Sequence, residues 1–197
     1  MTFSNIFNRF IFAASFVFIS FSLLAEPALE EVVVSARKVD ESLQDVPIAM
    51  SVFTSSDIED AGIERPEDFI ALTPNVVMAN TVNVGDTLVT IRGLTSTRDA
   101  ESNFAFVVDG VLQTNPNAFN RELLDIAQIE VLKGPQGALY GRNATSGAIL
   151  ITTKAPSGES ENTAVVGMGI NNSSKLQYVN SGMLGDNVYT RFSVSTR

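Results

Sequence analysis

Residues 129–154 read Ile129-Glu130-Val131-Leu132-Lys133-Gly134-Pro135-Gln136-Gly137-Ala138-Leu139-Tyr140-Gly141-Arg142-Asn143-Ala144-Thr145-Ser146-Gly147-Ala148-Ile149-Leu150-Ile151-Thr152-Thr153-Lys154. The aliphatic runs at 129–132 and 148–153 predict two strands. Between them, Gly134, Gly137, Gly141 and Gly147 punctuate the chain. Neither the P-loop spacing with its Gly-Lys-Ser/Thr ending nor the dinucleotide fingerprint is present. The glycines therefore read as tight-turn and close-packing positions, and Pro135 as a fixed turn.

Working back from this stretch, short strands and short helices alternate. Strands are expected at 104–108, 88–91, 76–79 and 48–53, and Asp109-Gly110 turns the chain into Val111-Leu112. Arg65-Pro66-Glu67-Asp68 opens a helix with proline at its first position and acids in its first turn. That helix carries Phe69, Ile70 and Leu72 and stops before Pro74. Ser55 or Ser56 caps a shorter helix through Ala61, which Gly62 ends. Residues 45–156 thus predict a small α+β domain, a mixed sheet with short helices.

Past Pro156 the pattern changes. Ala164, Val166, Met168 and Ile170 share one face of an extended segment, and Thr163, Gly167, Gly169 and Asn171 the other. A second segment runs over 175–184, Gly185-Asp186-Asn187 turns, and a third sets Val188, Thr190, Phe192 and Val194 against Tyr189, Arg191, Ser193 and Ser195. Segments of about 10 residues with one apolar face fit a membrane barrel. An antiparallel sheet packed on a soluble core has the same periodicity.

At the other end, Arg9 precedes an apolar run over 10–24, broken by Ser15, Ser20 and Ser22 and closed by Ala25. This is the pattern of a cleaved export signal over 1–25, and the run is short and acid-flanked for a membrane anchor. Next comes Glu30-Glu31-Val32-Val33-Val34-Ser35-Ala36. Three consecutive β-branched residues between charged neighbours read as an exposed strand that adds to a partner's sheet edge, or as an edge strand of the following domain.

The formal net charge of -9 argues against a nucleic-acid partner, which needs clustered Lys and Arg. With no cysteine and no histidine, the chain has no disulfide, Cys-based zinc site or His-dependent triad. No nucleophile–base pair, metal constellation or cofactor loop speaks for an enzyme.

Several motifs in series resemble those of TonB-dependent outer-membrane receptors. Residues 31–36 look like a TonB box. Ile91-Arg92-Gly93, Val107-Val108-Asp109-Gly110-Val111, Ile129-Glu130-Val131-Leu132-Lys133-Gly134-Pro135 and residues 139–154 look like successive plug-domain motifs. The resemblance implies a plug held inside a barrel of about 22 strands, with the first three barrel strands in 162–197. It implies that a small-molecule or metal-chelate substrate, most commonly an iron chelate, binds at the outer face. The TonB box, with Glu30, Glu31, Val32, Val33, Val34, Ser35 and Ala36, would then engage TonB in the periplasm, and the barrel would sit in outer-membrane lipid. Arg92 and Lys133 match positions that face carboxylates on the barrel wall in some relatives. Thr95, Ser96, Arg98, Asp99 and Glu101 would lie on a solvated apical loop open to substrate. No cofactor and no catalysis are implied. The box lies too close to the expected cleavage site for an N-terminal signalling domain. Three strands do not close a pore, so the expectation is an N-terminal fragment of a receptor, the alternative being a free periplasmic plug that only binds TonB.

Overall fold

The computed structural model describes residues 31–80, 87–96, 101–115, 118–169 and 174–196. The expected signal over 1–25, Glu30, Arg98 and Asp99 lie outside them. Along the chain, β1 (Val33–Val34) and β2 (Glu41–Ser42) precede β3 (Met50–Thr54), helix α1 (Ser55–Asp60) and helix α2 (Pro66–Ala71). Strands β4 (Val76–Asn80), β5 (Thr87–Ile91), β6 (Leu94–Thr95), β7 (Phe104–Val108) and β8 (Val111–Leu112) follow. The opening stretch supplies β9 (Ile126–Lys133), a single-turn helix α3 (Gly137–Tyr140) and β10 (Gly147–Thr153). Three longer strands end the chain: β11 (Glu161–Met168), β12 (Ser174–Met183) and β13 (Tyr189–Thr196).

Helices α1 and α2 begin where the local chemistry allows. The cap of α1 is Thr54, one residue ahead of the expected serines. Its Oγ accepts from the Asp57 amide, and the Asp57 carboxylate accepts from the Thr54 amide at 2.8 Å. Pro66 opens α2, and the Asp68 carboxylate reaches back to the amides of Glu64 and Arg65.

The plug is built on a mixed five-stranded sheet in the order β3-β9-β10-β7-β8. Only β10 and β7 run parallel; every other pairing in it is antiparallel. Alternation splits the central strands between two cores. Ile129, Val131, Ile149, Ile151, Phe104 and Phe106 point into the larger one, against Phe69 and Ile70 of α2 and Val89 and Ile91 of β5. Phe119, on the segment after β8, meets Phe104 and Phe106 edge-on with ring centroids 5.1 Å apart. The opposite face carries small residues, Ala105, Ala148 and Ala144, with Leu132, Val107 and Leu150. Because both faces are covered, these strands read as continuous apolar runs in the sequence.

Two hairpins, β5–β6 and β7–β8, turn through Arg92-Gly93 and Asp109-Gly110. All four residues have positive φ, the signature of a type I′ turn matched to the strand twist. Asp109 tolerates this because its carboxylate accepts from the amide and hydroxyl of Thr153 at 2.8 and 3.0 Å. Gly147 is fixed by space instead. A Cβ there would lie 2.3 Å from the Leu132 carbonyl oxygen.

Strands β11, β12 and β13 form a separate antiparallel sheet. Register places Lys175, Gln177, Val179, Ser181, Arg191 and Ser193 on one face and Val166, Met168, Leu176, Tyr178, Phe192 and Val194 on the other. Val179 and Ser181 on the first face are buried, whereas the apolar second face is exposed. A sheet lying on a soluble core would expose the opposite face. Among the described residues no helix is long and apolar enough to cross a membrane.

Candidate functional site

The N-terminal strand is not free. Val34 and Ala36 are 1% and 0% exposed, and Ala36 belongs to the small-residue core under the central sheet. Of the two readings left open by the sequence, an exposed strand or an edge strand of the following domain, the burial of Val34 and Ala36 fits the second. Ala105 of β7, Ala148 of β10 and Ala144 ahead of β10 leave a shallow seat beside Leu132 of β9, where Ala36 fits. Val33 remains half exposed.

The backbone of this segment is held along both edges. On one side β1 pairs with β2, and the Val32 carbonyl accepts from the Leu43 amide at 2.9 Å. Alternation turns the polar groups of Val33 and Ser35 to the other side. There Gln128 Nε2 donates to the Val33 carbonyl at 3.0 Å, and Glu130 Oε1 accepts from the Ser35 amide at 3.0 Å and from its hydroxyl at 3.2 Å. The Tyr140 hydroxyl donates to the Ala36 carbonyl at 2.7 Å, and the Lys38 ammonium stands 5.7 Å from the centre of the Tyr140 ring.

Glu130 is the least expected member of this group. It sits in the middle of β9 between Val52 of β3 and Leu150 of β10 and is 2% exposed. Burial pushes its carboxyl above the ordinary 4.5; the Ser35 bonds oppose this, and the Asp40 charge adds to it. Burial, with the Glu130 charge beside it, also raises the Tyr140 phenol to about 12. The sequence held one signal of this arrangement, an acid inside an otherwise apolar strand, since carboxylates are seldom buried without a partner.

Arg92 and Lys133 are brought together. The Arg92 guanidinium lies against Gly134, with its Nη1 3.1 Å from where a Cβ would stand. Lys133 donates to the Ser51 hydroxyl at 3.0 Å, and burial, then the Arg92 charge, lowers its ammonium from the ordinary value. The expected apical loop is mixed. Thr95 pairs with Thr90, and Glu101 is exposed and bridged to Arg142 at 3.0 Å. Ser96 departs from a solvated loop. It is buried, donating to Asn103 at 2.7 Å or to the Val89 carbonyl at 3.1 Å.

Further ion pairs, unanticipated from the sequence, join the last three strands to the plug. Arg191 of β13 grips both oxygens of Asp125 at 2.5 and 2.6 Å and reaches Glu161 at 2.9 Å. Lys175 of β12 meets Glu64 at 2.9 Å and Glu122 at 3.3 Å. Charges on facing elements far apart in sequence leave no periodic trace.

Residues 42–148 match the model of the TonB-dependent receptor plug domain. The chain belongs to this family. The plug is similar over 79% of the chain to the pesticin receptor of Yersinia pestis, at 27% identity, and covers 23% of that receptor. It is 28% identical to the vitamin B12 transporter BtuB of Vibrio vulnificus, over 84% of this chain and 27% of the transporter. Among solved structures it resembles the ferric yersiniabactin uptake receptor FyuA of Yersinia pestis, with a TM-score of 0.70 and 26% identity over 75% of this chain and 24% of that one. The chain thus spans about a quarter of the length of the curated relatives it matches. Those relatives are named as receptors and transporters, and the fold is that of a plug followed by strands of an unclosed barrel.

Glu130 gives the plug a pH dependence of known sign. A carboxyl raised in the folded state contributes stability that is fully present below its ordinary 4.5 and is lost as the pH rises through the raised value. Asp40, Tyr140 and Lys38 are the ionisable groups around it. Comparing thermal midpoints of the parent and Glu130→Gln across this window should show the parent's advantage shrinking as the pH rises. A constant difference would mean that Glu130 does not titrate in the fold.

Proposed function

We propose that this chain supplies the plug and the energy-coupling end of an outer-membrane receptor that takes up a scarce nutrient with TonB as its partner. Residues 30–36 are the TonB-binding strand, adding main-chain hydrogen bonds to TonB's sheet while Glu30 and Glu31 tune contact with basic residues. The observation that carries this reading is the β-branched strand itself, placed immediately ahead of a plug. Residues 1–25 direct export, and the exposed apolar face of β11–β13 fits outer-membrane lipid.

An iron chelate is the first choice of substrate, supported by the likeness to a ferric yersiniabactin uptake receptor. On this reading Thr95, Arg98, Asp99 and Glu101 are the residues that contact substrate. Arg92, exposed, and Lys133, half-buried, form a paired cationic patch suited to carboxylates of a barrel wall, because an anionic partner relieves the repulsion between adjacent like charges.

A peptide spanning 30–36 should bind the C-terminal domain of TonB, measured by titration calorimetry. Val33→Pro, which removes a backbone donor, should weaken it by about tenfold or more. Equal binding by both peptides would remove the segment from this role.

A further inference from the structure

The turn at residues 35–40 walls one side of a cleft of about 470 Å³ on the small-residue face of the sheet. Buried Val107 of β7 and Leu150 of β10 form its floor, Leu112 of β8 and Leu139 of α3 its sides, and exposed Lys38 and Asp40 its rim. The volume lies within the range usual for small-molecule sites, and so does an apolar lining that carries a few polar groups. The cleft sits at the C-terminal ends of the parallel strands β7 and β10. Ser96, through Asn103, belongs with the N-terminal end of β7, as does Glu101. The cleft is therefore separate from the residues read as meeting substrate.

The two rim charges are opposite in sign and close in sequence, yet they do not bond to each other. Among the described residues neither Lys38 nor Asp40 has an ion-pair partner, and the Lys38 ammonium stands over the Tyr140 ring instead. Lys38 is held at a φ of 61°, its amide donating to the Ser35 carbonyl at 2.8 Å. A non-glycine residue kept in this region is strained, and such strain clusters where ligands are held. One unpaired cation and one unpaired anion above aliphatic side chains are complementary to a zwitterion with an apolar body.

We propose that this cleft binds a free α-amino acid with a large aliphatic side chain. Its carboxylate meets Lys38, its ammonium meets Asp40, and its side chain packs against Val107, Leu112 and Leu150. Glu130 lies close enough to Asp40 for their charges to interact, so the Asp40 end draws an ammonium with both. The ligand needs both of its own charges. A carboxylate alone is repelled by Asp40, and an amine alone meets Lys38 as a like charge. Because the rim is exposed, each charged contact is weak and screened by salt. A Kd of about 1 mM is the scale for so small a ligand held in this way.

Amide chemical shifts of the isotope-labelled full chain, titrated with L-leucine at low salt, test this. The amides of Gly110, Leu112 and Thr152 should shift saturably, with a Kd of about 1 mM, while those of Thr95 and Glu101 stay in place. Isocaproate, which lacks the ammonium, and isoamylamine, which lacks the carboxylate, should each bind about tenfold more weakly. Lys38→Gln and Asp40→Asn, both at exposed positions, should each weaken leucine binding about fivefold and leave the core amides unmoved. Arg121→Gln, which removes an exposed cation away from the cleft, should bind leucine as the parent does. No saturable shift by about 50 mM leucine would overturn the site. Equal binding of the three compounds, or parental affinity in both rim variants, would overturn it as well. Leucylleucine separates a free amino acid from a peptide end. Tighter binding of the dipeptide at the same amides would overturn the free amino acid as occupant.

Discussion

Gly147→Ala should lower the unfolding free energy of the plug by about 3 kcal/mol, at the upper end of the range for overpacking a core. The added methyl carbon would stand 2.3 Å from the Leu132 carbonyl oxygen and 3.2 Å from Ile91 Cδ1. The first of these is backbone in the middle of the sheet, paired on both sides through β9, and cannot swing away. Relief requires β9 and β10 to separate, which opens both cores at once. Gly137→Ala is the control. It lies in α3 with open space around its Cβ position and no positive φ, so the exchange should be neutral or stabilising by up to about 1 kcal/mol. Chemical denaturation followed by far-UV circular dichroism checks both. Equal midpoints for the two variants would show that the sheet yields more easily than its geometry implies.

Arg191→Ala should cost about 3–5 kcal/mol in the attachment of the last strands to the plug, the usual loss when one member of a buried pair is removed. The Arg191 and Asp125 side chains are each only 8% exposed, and removing the guanidinium strands the Asp125 carboxylate. Asp125 cannot turn away easily. It sits at positive φ with its carbonyl accepting from the Lys154 amide at 2.8 Å. Hydrogen exchange should show amides of β12 and β13 losing protection while those of β9 and β10 keep theirs. Pairing Arg191→Met with Asp125→Asn should restore most of the protection, because no buried charge is then left alone. Unchanged exchange in Arg191→Ala would mean that packing by Val179 and its neighbours suffices. In that case the bidentate pair sets register and adds little stability.

These two sites differ in how far the sequence announced them. Gly147 stands in a glycine-punctuated stretch beside an aliphatic run, and close packing was a fair expectation from that alone. Arg191 read only as the polar side of an alternating segment. Its partner lies 66 residues away, and nothing in local pattern links a cation on one strand to an aspartate on another. Helix α2 was legible to the residue at its start because proline and acids mark a first turn chemically. Helix α1 was displaced by one residue, since Thr54, Ser55 and Ser56 can all cap and only the reach to Asp57 chooses between them.

By itself the sequence determined the run of strands and short helices, the family motifs in their order, and the two faces of the last strands, because each of these is written in local periodicity and turn chemistry. Only the tertiary structure decided the state of residues 32–36. Their β-branched run specifies an extended backbone but not what lies beside it. Val34 and Ala36 are buried by a domain folded from residues far along the chain, Ala36 among Ala105, Ala144 and Ala148. The strand's outer edge is closed because Gln128 and Glu130, about 95 residues on, point at it. Contacts of that separation are set by the fold as a whole, so no window of sequence contains them.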